Sequence, residues 1–224
     1  MSRARITAPA AAAQAPFAGA QAAAVRAQVA AEPPVLPAKP GLHEVTLPTA
    51  AATRMIQGYQ LPGIASPQYP VAKVLAAVLG NGMSSRLFTE LREKQSLAYE
   101  IYASVQPGMQ ASTLMLVAGT DPKNQQAVEA GFRQQLEKLA STPLTPDELQ
   151  AVKDKLVGQF ALAHETPAEQ AYYLGYYEAV GLGYEYDKTY PKQLKAVTAA
   201  QVQALAQALL KQPPTWAVVR PADK

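Results

Sequence analysis

Among the side chains whose types could do chemistry are an arginine and a tyrosine seven residues apart, Arg92 and Tyr99, at the two ends of an expected helix-to-strand corner. A guanidinium offers a planar fork of donors to a carbonyl, and a phenol can donate to a developing oxyanion where water is scarce. Such donors act on a carbonyl whose nucleophile comes from elsewhere. Taken by itself, an arginine on a helix's last turn near a strand tyrosine is most often a surface cation beside a ring. The other candidates are weaker. Ser84-Ser85 lies beside glycines but has no Gly-x-Ser-x-Gly elbow, and helix capping explains the pair better. Glu90/Glu93 and Asp147/Glu148 fall on surface and first-turn positions of expected helices, where solvated or dipole roles dominate. The chain has two histidines, His43 in an expected strand beside Glu44 and His164 near an expected helix C-terminus. Surface or helix-end roles suit both better than ligation, since two histidines so far apart, with no motif around either, do not make a zinc site.

The elements that must position Arg92 and Tyr99 follow from the stretch between Gly80 and Tyr99. Gly80 and Gly82 close a helix beginning near Ser66, because glycine takes the positive φ that a helix C-terminus often needs. Ser84 or Ser85 then caps a second helix with Leu87, Phe88 and Leu91 as its buried stripe. Arg86 has an i+4 partner in Glu90 on that helix. The helix runs out around Gln95-Ser96, and Leu97 to Val105 alternates as a strand. Arg92 and Tyr99 are thereby brought close across a tight helix-to-strand corner.

Around that corner the chain reads as strands over 43–47 and 53–61, then a helix from Ser66-Pro67 carrying Tyr69, Val71, Val74, Leu75, Val78 and Leu79. Strands over 99–105 and 112–119 form a hairpin. Four helix starts follow: Asp121-Pro122, with the stripe Val128, Phe132, Leu136 and Leu139; Thr145-Pro146; Thr166-Pro167; and Thr198. Tyr190-Pro191 opens a further short helix holding Leu194 and Val197, and 215–219 is a terminal strand. This order predicts an α+β fold, an antiparallel or mixed β-sheet with helices packed on one face. Residues 1–40, rich in Ala and then Pro, read as a linker or tail, and 41–224 as the domain.

Composition narrows the function classes. A net charge of +3 over 224 residues, with no basic run interleaved with aromatics, argues against nucleic acid. There are no cysteines, which excludes disulfides and thiolate metal sites. No apolar run approaches the roughly 20 residues needed to span a bilayer, and the basic N-terminus lacks the leucine-rich core of a secretory signal. Of eleven tyrosines, seven cluster at positions 172, 173, 176, 177, 184, 186 and 190; some belong to a core and others to a partner-facing surface, and spacing does not sort them.

The run Gly80-Asn81-Gly82-Met83-Ser84-Ser85-Arg86-Leu87-Phe88, followed by Leu91-Arg92-Glu93-Lys94 and Leu97-Ala98-Tyr99, resembles the C-terminal-type domain of the M16 metallopeptidases, the pitrilysin, insulinase and mitochondrial processing peptidase family. Element order is similar from about His43 to Arg220. In that family an arginine and a tyrosine at this separation hydrogen-bond the substrate backbone and the scissile carbonyl, roles that fall on Arg92 and Tyr99. The family's zinc helix reads His-x-x-Glu-His. Here His164-Glu165 is followed by Ala168 where a second histidine would be needed, so the resemblance implies no cofactor on this chain and zinc on a partner. The expected partner is a domain or subunit bearing His-x-x-Glu-His, as a homo- or hetero-oligomer or in a longer chain, with peptide as substrate. Residues 1–40 then read as the connector from a preceding domain. The alternative expectation is a catalytically inactive scaffold or peptide-binding subunit; a third is a self-contained binding domain unrelated to peptidases. A bacterial periplasmic or envelope setting is compatible with the resemblance, while the residues leave the compartment open.

Overall fold

The computed structural model describes residues 40–222, so the expected linker over 1–40 lies, but for its last residue, outside the described residues. Five strands, β1 (Leu42–Leu47), β2 (Thr53–Pro62), β3 (Ala98–Gln106), β4 (Ala111–Thr120) and β5 (Thr215–Pro221), form one sheet in the order β1-β5-β2-β4-β3. The pairs β5–β2, β2–β4 and β4–β3 are antiparallel, and β1–β5 is parallel, so the sheet is mixed, as expected. The last strand inserts between the first two. Strands β1 and β2, although neighbours in sequence, do not pair; β1 is an edge strand exposed along its whole length.

One face of the sheet is apolar and covered. Met55, Tyr59 and Leu61 of β2, Ile101, Ala103 and Val105 of β3, and Leu114, Leu116 and Ala118 of β4 alternate inward and are all buried. Against them pack α1 (Tyr69–Gly80) and α2 (Gln125–Ser141). The stripes read from sequence are the ones buried: Val74, Leu75 and Leu79 on α1, and Val128, Phe132, Leu136 and Leu139 on α2, are at most 1% exposed. Phe132 also stacks on Trp216 of β5 at 6.2 Å, tying the final strand to α2. The outer helices are α3 (Pro146–Leu162), α4 (Pro167–Ala179), α5 (Tyr186–Ala196) and α6 (Ala199–Leu210). Thr145, Thr166 and Thr198 cap α3, α4 and α6 through their hydroxyls, and the last two complete capping boxes with Glu169 and Gln201.

Several local expectations are corrected. Helix α1 begins at Tyr69, not Ser66, whose hydroxyl instead accepts from the Gln68 N–H in a preceding turn. Helix α5 begins at Tyr186, with Pro191 inside it; burial of Tyr190 and Leu194 holds a segment that proline would otherwise end. Gly82 does take positive φ, at 87°. Gly80 is needed for a different reason: a Cβ there would stand 1.9 Å from the Ala103 amide nitrogen, so α1 ends in direct contact with the β3 backbone.

Candidate functional site

The second helix of the sequence reading is short and of another kind. After a brief turn through Arg86 and Leu87, residues Phe88–Lys94 are π-helical. No serine caps it. The Ser85 hydroxyl donates backward to the Gly82 carbonyl at 2.6 Å. Thr89 supplies a local reason for the wider turn, since its hydroxyl donates to the Ser85 and Arg86 carbonyls, competing with the α-helical ladder. Leu87 and Leu91 are fully buried and anchor the segment, while Phe88 is half-buried. Arg86 does not pair with Glu90. It makes a two-pronged bridge to Glu148 in the first turn of α3, both contacts 2.9 Å, and Glu90 pairs with Lys94.

The corner that follows is tight and specific. Ser96 adopts positive φ (52°), rare for a residue with a side chain. The Leu97 N–H returns to the Leu91 carbonyl, closing the end of the π segment, and the Thr120 hydroxyl donates to the Leu97 carbonyl. Strand β3 then opens with an irregularity: Ala98 pairs with Thr120 and Glu100 with Gly119, so Tyr99 has no register partner. Two residues opposing one is a β-bulge, a device that re-aims a side chain. The Tyr99 ring lies over Gly119, where a Cβ would stand 2.6 Å from Cε2 and 3.0 Å from the phenol oxygen. Only a glycine leaves that seat open.

Arg92 and Tyr99 line one open hollow of about 490 Å³ with Ser96, Asp121, Lys123 and Asn124, the last three from the turn after β4. Both are exposed, Tyr99 by 55%. The Arg92 guanidinium sits 4.8 Å from the centre of the Phe88 ring, a cation–π contact that steadies an otherwise exposed side chain. Asp121 pairs with Lys123 at 3.3 Å. Beside the bulge, Glu100 pairs with Arg54 of β2, which shares the register partner Gly119. Sequence reasoning missed Gly119, Asp121, Lys123 and Asn124 as neighbours of this corner. A glycine inside a strand was the available signal, since it marks a close approach.

The histidines are placed apart from this hollow. His43 lies exposed on edge strand β1. His164 does follow the C-terminus of α3 but is 9% exposed: Nδ1 contacts the Phe160 carbonyl at 2.7 Å, and Nε2 lies 2.8 Å from the Asp187 carboxylate without hydrogen-bond geometry. Among the described residues no three His, Cys, Asp or Glu side chains converge as metal ligands. The donor set present does not fit a zinc ion.

An open mixed sheet with helices on one face, built around the corner just described, defines an α+β domain, and the same fold is seen in solved structures. A peptidase M16 inactive domain from Pseudomonas fluorescens superimposes with TM-score 0.69 at 23% identity, over 89% of this chain and 50% of that one. A chain of complex III2 from Candida albicans does so with TM-score 0.72 at 12% identity, over 80% of this chain and 45% of that one. An uncharacterized zinc protease of Mycobacterium leprae is 30% identical over 172 residues, 77% of this chain. This chain spans 39% of that relative's length. Residues 16–156 match the family described as Peptidase M16 inactive domain, and the chain belongs to it.

Proposed function

We propose that this domain is the non-metal half of an M16-type zinc peptidase, completed by a domain or subunit that carries the His-x-x-Glu-His helix. Peptide would be held in the chamber between the two halves. Arg92 would hydrogen-bond backbone carbonyls of the substrate, and the Tyr99 phenol would donate to the oxygen of the scissile carbonyl as negative charge develops there. The metal and the base belong to the partner. The observation that carries the reading is that Arg92 and Tyr99, seven residues apart, line the same solvent-open hollow with their donors free. The π turn, the bulge and the Gly119 seat support it, because they set two side chains at one corner that a regular helix and strand would not.

The test is peptide hydrolysis in the presence of zinc, by this chain alone and then mixed with a His-x-x-Glu-His partner. Silence alone and chelator-sensitive cleavage in the mixture is the expected result; cleavage by this chain alone overturns it. The second reading, a scaffold that kept the fold without catalysis, draws on the likeness to a chain of complex III2. Silence in both assays, with stable association of the two chains, would favour it.

A further inference from the structure

A second cavity, of about 580 Å³, lies between α1, α3, α4 and α5 and shares no lining residue with the Arg92/Tyr99 hollow. Seven of the eleven tyrosines line it. Tyr190 and Tyr177 are buried, and Tyr172 stands at the rim, 66% exposed. One wall is a stack in which the His164 ring lies 3.9 Å from the Phe160 ring and 4.2 Å from that of Tyr173. The Tyr186 hydroxyl is buried at the edge of this space without a hydrogen-bond partner.

Among the lining residues one, Lys73, is a lysine, while the Asp187 carboxylate lies outside the lining, 2.8 Å from His164 Nε2 and near enough to Tyr177 to raise its phenol. Lys73 lies four residues after Tyr69 on α1, on the same helix face, and both side chains line the cavity. Among the described residues no carboxylate pairs with the Lys73 ammonium, and no Asp or Glu lines the cavity. Burial, with no neighbouring charge contributing, pulls the Lys73 ammonium below its ordinary pKa. Lys73 is partly buried, and an ammonium partly withdrawn from water among aromatic rings, with no carboxylate paired to it, gains a direct partner when an anion enters from outside. His164, the other titratable base on the wall, has its Nδ1 on the Phe160 carbonyl, while its Nε2 lies 2.8 Å from the Asp187 carboxylate without hydrogen-bond geometry. A single free ammonium matches a monoanion; a phosphate dianion would need more positive charge. The rings ask for an apolar, flat body.

We propose that this cavity binds an aromatic or bulky apolar group bearing one carboxylate, with the carboxylate on Lys73 and the apolar body against the tyrosines. The chemistry is shared by a small arylalkanoic acid and by the C-terminal residue of a peptide. It is independent of the peptidase reading, because the test is binding to this chain alone.

The experiment is calorimetric titration of the 224-residue chain with 3-phenylpropionate, with acetyl-Ala-Ala-Phe carrying a free carboxylate, and with its amide. At least one acid should bind with Kd below about 1 mM, and the amide at least about tenfold more weakly than the peptide acid if the peptide is the ligand. Tighter binding of phenylpropionate identifies a small acid; tighter binding of the peptide identifies a chain terminus. Lys73→Met and Lys73→Gln should each weaken the acid about tenfold or more, with the melting temperature of the methionine variant equal to or above the parent's. Absence of saturable binding by both acids, or unchanged affinity in both folded variants, overturns the proposal.

Discussion

The Arg92/Tyr99 corner and the tyrosine cavity are built on opposite plans. At the corner, buried leucines and a glycine seat hold exposed polar groups outward: Leu87 and Leu91 are 0% exposed, whereas Tyr99 is 55% exposed. In the cavity, aromatic rings turn inward on one another, burying Tyr69, Tyr177 and Tyr190 and partly shielding the other rings and the one ammonium among them. Burial pushes the Tyr186 phenol up to about 12 and those of Tyr69, Tyr177 and Tyr190 upward as well. The lesson is that a rigid base with an open polar face suits contact with an extended chain. A partly shielded aromatic pocket with one ammonium instead suits one group matched in shape and charge.

The largest expected effect breaks the comparison on the functional side. In the proposed assembly with a His-x-x-Glu-His partner, Tyr99→Phe and Arg92→Ala should each lower kcat/KM by about 10²- to 10³-fold, the range for losing one oxyanion donor, equal to roughly 3–4 kcal/mol. The melting temperature should barely move, because both side chains are exposed; unchanged kcat/KM removes the proposed role. Gly119→Val tests whether the seat matters. Its side chain must displace the Tyr99 ring, so activity should fall toward that of Tyr99→Ala while binding in the tyrosine cavity persists.

Below these lies the base of the corner. Leu91→Ala empties a fully buried position and should cost about 2–5 kcal/mol in urea unfolding. A loss under about 1 kcal/mol would show that the corner is not anchored there. Alkaline titration probes the other region. A phenol with a raised folded pKa contributes stability that is complete below its unfolded value near 10 and is lost as pH rises through the folded value. With Tyr186 pushed up to about 12 and Tyr69, Tyr177 and Tyr190 raised as well, the urea midpoint should fall between pH 10 and 12 while phenolate absorbance rises. A midpoint flat to pH 12 contradicts this. The smallest effect expected is at Arg86→Ala, about 1–2 kcal/mol, because its bridge to Glu148 is well formed but only partly shielded, with side chains 23% and 33% exposed.

How much of this was readable in the residues depends on the range of the signal. The helices capped by Thr145, Thr166 and Thr198 were evident because a cap and its acceptor lie within three residues. The apolar stripes of α1 and α2 were evident because helical periodicity repeats within a few turns. Arg92 and Tyr99 were singled out through a motif; the structure sets both on one hollow at the expected helix-to-strand corner, and their proposed role rests on the mutations above. Pairings between distant segments were not readable. Arg86 has a plausible partner four residues away, yet Glu148, 62 residues on, offers a fork-to-fork geometry that Glu90 on the same helix does not.

By itself, then, the sequence determined the family, the α+β class, most helix starts and the absence of a His-x-x-Glu-His helix, all of them carried by local patterns. The tertiary structure alone decided that β5 enters between β1 and β2, that Tyr99 occupies a bulge above Gly119, and that Tyr69 and Lys73 join the later tyrosines around one cavity. The physical reason is that strand order, bulges and cavities arise from surfaces far apart in the chain competing for the same buried space. No window of neighbouring residues records the outcome of that competition.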